Sequence, residues 1–166
     1  MATAKRIEHT LDPLVFPDSE ILILGSFPSV LSRAVSFYYG NPKNRFWPLL
    51  AKILQENDLT TIENKITFCK LHHIALYDVI ESCEIRGSSD SSIKSVIPSN
   101  LFEICQGTNI RKILLNGRKA EELFYKFQSD FLTMHPDISV ISLPSTSPAN
   151  AAFSFERLLD IWEVAL

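Results

Sequence analysis

Cysteines, glycines and long apolar runs are scarce in this chain, and each shortage excludes a class of protein. The three cysteines lie far apart and form no Cys-X-X-Cys pair, so we expect neither a structural zinc site nor a four-cysteine iron–sulfur cluster. Only five glycines and nine prolines occur, which excludes a collagen-like or low-complexity chain. No run reaches the roughly 18 consecutive apolar residues of a membrane helix, and no membrane span is expected.

The composition is that of one folded domain. Hydrophobic residues make up 46% of the 166 residues and the formal net charge is only −3, which is too apolar for a disordered chain. The first residues lack the apolar core of a signal peptide, so we expect a protein of the cytoplasm. We predict a single domain over residues 1–166, with residues 1–20 as an N-terminal lead-in, and a monomer.

Carboxylates are missing from one long segment, and charges of either sign are missing from another. Residues 21–55 contain basic side chains but no Asp or Glu, and residues 138–155 contain no charged side chain at all. A second basic cluster lies within residues 111–119. Because the local field attracts a polyanion, an acidic protein with such segments can bind nucleic acid. A solvated mixed surface would give the same charge pattern.

Short apolar runs alternate with amphipathic helical patterns along the chain. Strands are predicted at residues 21–25, 74–79, 112–115 and 139–143, and helices at 46–57, 61–72, 98–105, after Asn116-Gly117, and at 150–164. This alternation predicts an α/β fold with a mainly parallel sheet covered on both sides. Ligands of such sheets bind beyond the carboxyl ends of the strands, where the uncharged and basic loops would meet.

Two of these loops carry side chains suited to nucleic acid. The first, residues 26–45, contains Tyr38-Tyr39, two asparagines and two basic residues near its end; aromatic rings stack on bases, amides read base edges or hold water, and cations contact phosphates. The second, residues 144–150, is rich in hydroxyls, and a phosphate could bind at the start of the helix that follows. Core packing for the tyrosines, turns for the asparagines and a helix cap at Ser147 are the structural alternatives.

Four motifs in order carry a resemblance to a known family. They are GSFPS (25–29), YYGNPKNRFW (38–47), NGRKA (116–120) and LPSTSPAN (143–150). With this spacing the chain resembles the uracil-DNA glycosylase superfamily, and most of all its branch of hypoxanthine-DNA (deoxyinosine) glycosylases. The resemblance implies a three-layer α/β/α sandwich around a four-stranded, mainly parallel sheet. It also implies a monofunctional enzyme that flips a deaminated base out of DNA, hydrolyses its N-glycosidic bond and leaves an abasic site for base excision repair, without cofactor or metal.

The resemblance also assigns roles to particular residues. Asn44 matches the asparagine implicated in catalysis in the deoxyinosine branch, and Asn41 in the same motif stays an alternative. The segment that begins at Gly25 corresponds to the water-positioning motif, Tyr39 to the ring that stacks on the flipped base, and Asn116 to the strand end that reaches the base edge. The expected substrate contacts are Gly25, Ser26, Phe27, Tyr39 and Asn116. The expected contacts to the DNA backbone are Lys43, Ser145, Thr146 and Ser147.

The motifs also depart from the family pattern. Phe27 stands where mismatch-specific uracil enzymes carry a catalytic asparagine and other branches an acid, and Asn41-Pro42 replaces a common His-Pro. Because residues 21–55 hold no carboxylate, that segment offers no general base, and we expect an enzyme that relies on a good leaving group and on amides that orient water. The alternatives are a mismatch-specific uracil-DNA glycosylase, a non-catalytic DNA-binding module on the same fold, and a serine hydrolase, although no Gly-X-Ser-X-Gly motif is present.

Overall fold

The secondary structure largely follows the predicted alternation. The protein is described by a computed structural model that covers residues 3–57 and 59–166. Its strands are β1 (Lys5–Glu8), β2 (Ile21–Gly25), β3 (Ile74–Asp78), β4 (Ile80–Ile85), β5 (Lys94–Pro98), β6 (Lys112–Asn116) and β7 (Ser139–Leu143). Its helices are α1 (Val30–Val35), α2 (Phe46–Ile53), α3 (Ile62–Leu71), α4 (Leu101–Cys105), α5 (Arg118–Phe127), α6 (Ser129–Met134) and α7 (Phe155–Ala165).

The centre of the molecule is a four-stranded parallel sheet in the order β3-β2-β6-β7, which confirms the predicted fold class. The middle of β2 has no solvent exposure, as its uninterrupted apolar sequence predicted for a strand covered on both faces. In the register of this sheet Gly25 lies opposite Asp78, and Leu24 lies opposite Leu115. The carboxyl ends of β2, β3 and β6 therefore lie side by side at one edge of the sheet.

Helices cover both faces of this sheet. In the order β3-β2-β6-β7, the connection from β2 to β3 and the connection from β6 to β7 run in opposite directions across the sheet. Because both crossovers are right-handed, their helices α3 and α5 lie on opposite faces. Helix α7 contacts α2, with the ring of Trp162 perpendicular to that of Phe46 at 6.2 Å. Within the described ranges, no helix is both long and apolar enough to span a bilayer.

A second, antiparallel sheet in the order β1-β4-β5 was not predicted. Its outer strands have largely exposed side chains, so they lack the apolar run or clean alternation by which a strand is recognised in a sequence. Strand β1 lies within the expected N-terminal lead-in and pairs with β4. This pairing fixes the position of the residue that follows β1, His9, beside the main sheet.

Several predicted boundaries were wrong. The predicted loop at 26–45 contains helix α1, which is capped by Ser29. The helix predicted over 98–105 begins only at Leu101, where the Asn100 side chain accepts a hydrogen bond from Glu103 N–H, because Pro98 ends strand β5. The helix predicted over 46–57 ends at Ile53, before Gln55 adopts a left-handed φ of 58°.

The start of the last helix differs most from the prediction. Helix α7 begins at Phe155 with Ser154 as its cap, whereas the sequence predicted a start at Asn150, and the alternative of a cap at Ser147 is also wrong. The Arg45 guanidinium binds the backbone carbonyls of residues 147, 150 and 153. These carbonyls are directed toward Arg45 and not along a helix axis, so the segment 147–153 forms a series of turns.

Candidate active site

A pocket opens at the edge where the main strands end. Its volume of about 320 Å³ lies within the range of roughly 300–1,000 Å³ typical of ligand sites. Every predicted site residue other than Lys43 lines it. The pocket therefore combines side chains from the loops after β2, β6 and β7, as expected for ligand sites of parallel sheets.

The adjacent tyrosines have different positions. Tyr38 is buried in the core and donates a hydrogen bond from its hydroxyl to the Asp12 carbonyl at 2.7 Å, as the packing alternative predicted. Tyr39, at a left-handed φ of 52°, lines the pocket, and its ring is stacked on Phe46 with 3.8 Å between the ring centroids. Since Phe46 covers one face of the Tyr39 ring, the other face is the one available to a ligand.

The Tyr39 hydroxyl has an unusual environment. It is buried and makes no close hydrogen bond in the described part of the chain. Burial and the nearby Asp78 carboxylate both raise the pKa of Tyr39, whereas the Asn116 amide lies near enough to lower it. The raising effects outweigh that of Asn116, so the hydroxyl is neutral and can donate one hydrogen bond when a ligand enters.

Asn41 and Asn44 both line the pocket and have similar local contacts. The Oδ1 atom of Asn41 accepts a hydrogen bond from Lys43 N–H, and that of Asn44 accepts one from Phe46 N–H, both at 2.9 Å. Each contact fixes the oxygen of an amide in a local turn. The NH₂ groups of both asparagines remain as donors for a ligand.

Asn116, at the end of β6, is buried and held by Thr146. Its Nδ2 donates to Thr146 Oγ1, and its Oδ1 accepts from Thr146 N–H, both at 3.1 Å. Because a backbone N–H can only donate, this pair determines which side of the amide carries the oxygen. Thr146, predicted to contact the DNA backbone, is fully buried and lies against Asn116, away from the surface where a phosphate would bind.

Two carboxylates line the pocket, and the sequence analysis identified neither. Asp78, at the end of β3, is buried, with its Oδ2 atom 2.8 Å from Nε2 of His9. Asp90, in the serine-rich segment between β4 and β5, accepts a hydrogen bond from the Ser26 hydroxyl at 3.0 Å. A polar residue at the end of an apolar strand was the available signal for Asp78, whereas nothing in the local sequence pointed to His9.

Arg45 connects the two loops that form the walls of the pocket. Its guanidinium binds carbonyls in the segment 147–153, and its backbone N–H donates to the Thr146 carbonyl at 3.1 Å. The neighbouring Lys43 is exposed and lies outside the pocket. One of the two basic residues in this motif therefore stabilises the site, and the other remains accessible.

The second basic cluster is divided between two ends of the sheet. Arg111 pairs with Glu20 at 2.9 Å, and Lys112 donates to the Ala165 carbonyl at 2.8 Å, both at the end of β6 remote from the pocket. Arg118 and Lys119 instead line a groove of about 880 Å³ that adjoins the pocket and shares Ser145 with it. Only this half of the cluster can attract a polyanion to the pocket.

Comparisons with known proteins agree with this fold and identify the family. A sequence profile of the Uracil DNA glycosylase superfamily matches residues 13–165. The chain therefore belongs to the uracil DNA glycosylase superfamily, and by class it is a DNA glycosylase.

Two relatives and one solved structure show which members of the superfamily the chain is similar to. The chain is 37% identical over 149 residues to a hypoxanthine DNA glycosylase of Methanosarcina acetivorans, a match that covers 88% of this chain and 89% of the relative. It is 38% identical over 114 residues to a hypoxanthine DNA glycosylase of Methanosarcina barkeri, covering 66% of this chain and 71% of the relative. A solution NMR structure from Methanosarcina acetivorans, provisionally described as a uracil DNA glycosylase, superimposes with a TM-score of 0.77 at 34% identity and covers 93% of this chain and 92% of that chain.

Proposed function

We propose that the protein is a monofunctional DNA glycosylase that excises hypoxanthine from deoxyinosine in DNA and leaves an abasic site. The observation that carries this proposal is the fixed Asn116 amide in the same pocket as the Tyr39 ring. The relatives named hypoxanthine DNA glycosylase support the choice of base. A deaminated base pairs poorly, so flipping it out of the duplex requires less energy than flipping a normal base.

Asn116 provides a physical basis for base selection. An amide has two donor hydrogens and two acceptor lone pairs, and Thr146 engages one of each. One hydrogen, which lies near the Tyr39 hydroxyl, and one lone pair remain in a fixed order. Deamination of adenine exchanges the donor and acceptor on the Watson–Crick edge of the base, so a fixed amide pairs with the product and opposes the parent base. Uracil presents the same order of donor and acceptor on its Watson–Crick edge, so the experiment below also tests uracil as a substrate.

In this proposal Asn44 and Asn41 stabilise the departing base by donating hydrogen bonds to it. Breaking the N-glycosidic bond moves negative charge onto the departing base, and preorganised donors in a pocket stabilise such charge. Backbone N–H groups already bind the Oδ1 atoms of these residues, so the NH₂ groups are the parts available to the base. Asn44 is the first choice because it occupies the position that matches the catalytic asparagine of the deoxyinosine branch.

The surroundings of the pocket suit a DNA strand and a hydrolytic reaction. Ser145 and Ser147 line both the pocket and the groove that contains Arg118 and Lys119, so a phosphate beside the flipped nucleotide would meet hydroxyls and cations. Lys43 provides a further exposed cation. No lysine among the described residues lines the pocket, which favours a water nucleophile over a Schiff base with the sugar.

The test uses duplex oligonucleotides that contain one deoxyinosine, deoxyuridine or deoxyxanthosine, followed by alkali to break the strand at abasic sites. We expect hypoxanthine to be released fastest, no release of adenine, and no strand break before alkali. Preferential excision of uracil would favour the mismatch-specific alternative. Binding without excision of any of the three bases would favour the non-catalytic module and overturn the proposal.

The variant Asn116→Asp tests whether the Asn116 amide recognises the base by hydrogen bonding. It retains an oxygen for Thr146 N–H but replaces the NH₂ donor with a second acceptor. We expect the protein to stay folded, as judged by circular dichroism, and hypoxanthine excision to fall by about 10²-fold, the usual loss for one missing transition-state hydrogen bond. Unchanged excision would remove Asn116 from the base-reading role.

A further inference from the structure

Asp78 lies in the wall of the pocket and has no role in the motifs from which the function was inferred. It ends strand β3 directly opposite Gly25 in the neighbouring strand. Its side chain is 7% exposed, and the side chain of its partner His9 is 0% exposed. A buried charged group is strongly destabilising unless it is paired, and the partner of this carboxylate is an imidazole that is itself buried.

The hydrogen bonds of His9 determine which of its nitrogens carries a proton. The Leu11 backbone N–H donates to Nδ1 of His9 at 3.1 Å, so Nδ1 is an acceptor without a proton. Nε2 therefore carries the proton and donates to Oδ2 of Asp78 at 2.8 Å. The imidazole ring is stacked on Tyr77 with 4.3 Å between centroids, and these contacts hold it in place.

The other carboxylate oxygen, Oδ1, is the one directed toward Gly25. A Cβ at Gly25 would lie 2.6 Å from Oδ1 and 3.4 Å from the Tyr39 hydroxyl. Both Asp78 and Tyr39 line the pocket, so Oδ1 is held close to the ring on which a base would stack. No hydrogen-bond partner for Oδ1 is found among residues 3–57 and 59–166.

We propose that Asp78 is a catalytic residue that binds and deprotonates the attacking water, and that His9 is a positioning residue that holds its carboxylate. This inference rests on the proposed function. It also explains how the site obtains a general base when residues 21–55 contain no carboxylate. The fixed negative charge has a second effect, since it stabilises the positive charge that develops on the sugar as the bond to the base lengthens.

The reaction balances with water as the only co-reactant. The C1′–N bond breaks, and its electron pair leaves with the base, which takes up a proton from solvent. The water oxygen forms a bond to C1′, and one water proton passes to Oδ1 of Asp78, from which it returns to solvent. The products are the free base and an abasic deoxyribose with a hydroxyl at C1′, and the enzyme is regenerated.

The first test compares Asp78→Asn with Asp137→Asn under single-turnover conditions. Asn keeps the size of the side chain and an oxygen that accepts from His9, but it cannot take a proton at neutral pH. We expect the excision rate of Asp78→Asn to fall by about 10²–10⁴-fold, the usual range for a general base, with DNA affinity within about threefold of wild type. Asp137 is exposed and precedes β7 at the opposite edge of the sheet, so its variant controls for loss of a carboxylate.

The second test asks whether His9 positions the Asp78 carboxylate for catalysis or only stabilises the fold. His9→Phe keeps a ring against Tyr77 but removes the donor to Asp78, so we expect a slower chemical step with unchanged DNA affinity. In the Asp78→Asn background the same change should have little further effect on rate, because the two residues act through one water. An equal loss in both backgrounds would show that His9 acts independently of Asp78 and would overturn its assigned role.

The outcomes separate this inference from the proposed function. A wild-type protein that excises hypoxanthine, together with an equally active Asp78→Asn variant that is folded by circular dichroism, overturns this inference alone. A wild type that excises uracil and not hypoxanthine overturns the proposed base, and the ratio of Asp78→Asn to wild-type rates on uracil then decides the role of Asp78. A wild type that excises neither base overturns both proposals.

Discussion

The Asp78 carboxylate occupies the space into which a side chain at Gly25 would project. A Cβ at Gly25 would lie 2.6 Å from Oδ1 of Asp78, far closer than van der Waals contact allows. The glycine that opens the GSFPS motif is therefore required by a residue of the adjacent strand. Nothing in the motif itself reveals this dependence.

The variant Gly25→Ala should consequently displace Asp78. We expect a loss of about 1–3 kcal/mol in the free energy of unfolding, the usual effect of overpacking, together with a large loss of excision. Urea denaturation and the alkali assay measure the two effects. Gly87→Ala is the control: Gly87, unlike Gly25, adopts a left-handed φ of 59° that strains any added side chain, but it has no atom near the position of its Cβ. It should lose stability and keep activity. Full activity in Gly25→Ala would contradict the close packing described here.

Asn44 can be tested without removing its structural contact. Asn44→Asp keeps an oxygen that accepts from Phe46 N–H but eliminates the NH₂ donor, so stability should change little while excision falls by about 10²-fold or more. Asn41→Asp is the parallel variant, because Asn41 makes the same kind of contact with Lys43 N–H. Single-turnover rates of the two variants show which asparagine dominates. If neither rate falls, the leaving-group role assigned to these amides is wrong.

Tyr39 contributes a ring and a hydroxyl, and the two can be separated. Tyr39→Phe removes a buried hydroxyl that makes no close hydrogen bond among the described residues and keeps the stack on Phe46, so stability should be unchanged or slightly higher. Tyr39→Ala should weaken binding of lesion-containing DNA by about 1–3 kcal/mol, the usual contribution of stacking on a base. Affinities measured by fluorescence anisotropy compare the two variants. Equal affinity of Tyr39→Ala and wild type would exclude stacking on this ring.

Arg45 and Lys43 should differ sharply in their effects. Arg45→Met leaves several carbonyls of the segment 147–153 without their partner, and hydrogen bonds from a charged group typically contribute about 1.5–3 kcal/mol each, so a clear loss of stability is expected. Lys43→Gln should leave stability unchanged but reduce the salt dependence of DNA binding by about one phosphate contact. Thermal unfolding and affinity at several salt concentrations provide the measurements. An unchanged salt slope would argue against a phosphate contact at Lys43.

The buried thiol of Cys69 predicts a pH dependence of stability. Burial raises the pKa of Cys69 from 9.0 to about 12, so between these pH values the unfolded chain releases a proton that the folded chain retains. The stabilising contribution is present below pH 9.0 and is lost as the pH rises, at about 1.4 kcal/mol per pH unit at most. Urea unfolding of wild type and Cys69→Ala across this range should show a steeper decline for wild type. Parallel declines would contradict a raised pKa at this position.

Much of the fold could be predicted because its signals are local. The run Ile21–Gly25 contains only apolar side chains and a terminal glycine, and it forms the buried strand that this pattern indicates. Helix α5 follows Asn116-Gly117 as its amphipathic pattern predicted. Strand β1 could not be predicted, because most of its side chains are exposed and its apolar and polar residues do not alternate in a way that distinguishes a strand from a loop.

The candidate site was predicted in part for the same reason. Residues within compact motifs, such as Tyr39 and Asn44, were identified from their neighbours in the chain. The place of Asp78 in the pocket and the contacts of Arg45 were not, because they depend on partners in other segments. In the case of Arg45, the local sequence indicated only a cation, and three backbone carbonyls more than 100 residues away determine what that cation does.

The amino-acid sequence by itself determined the four strands of the central sheet, the order of the loops and the family of the protein, because apolar periodicity and short motifs act over a few residues. The tertiary structure decided that Asp78 stands in the pocket, that His9 holds it across a separation of 69 residues, and that Gly25 must lack a side chain. The physical reason is that a hydrogen bond or a steric contact depends on distance in space, which packing of the whole chain sets.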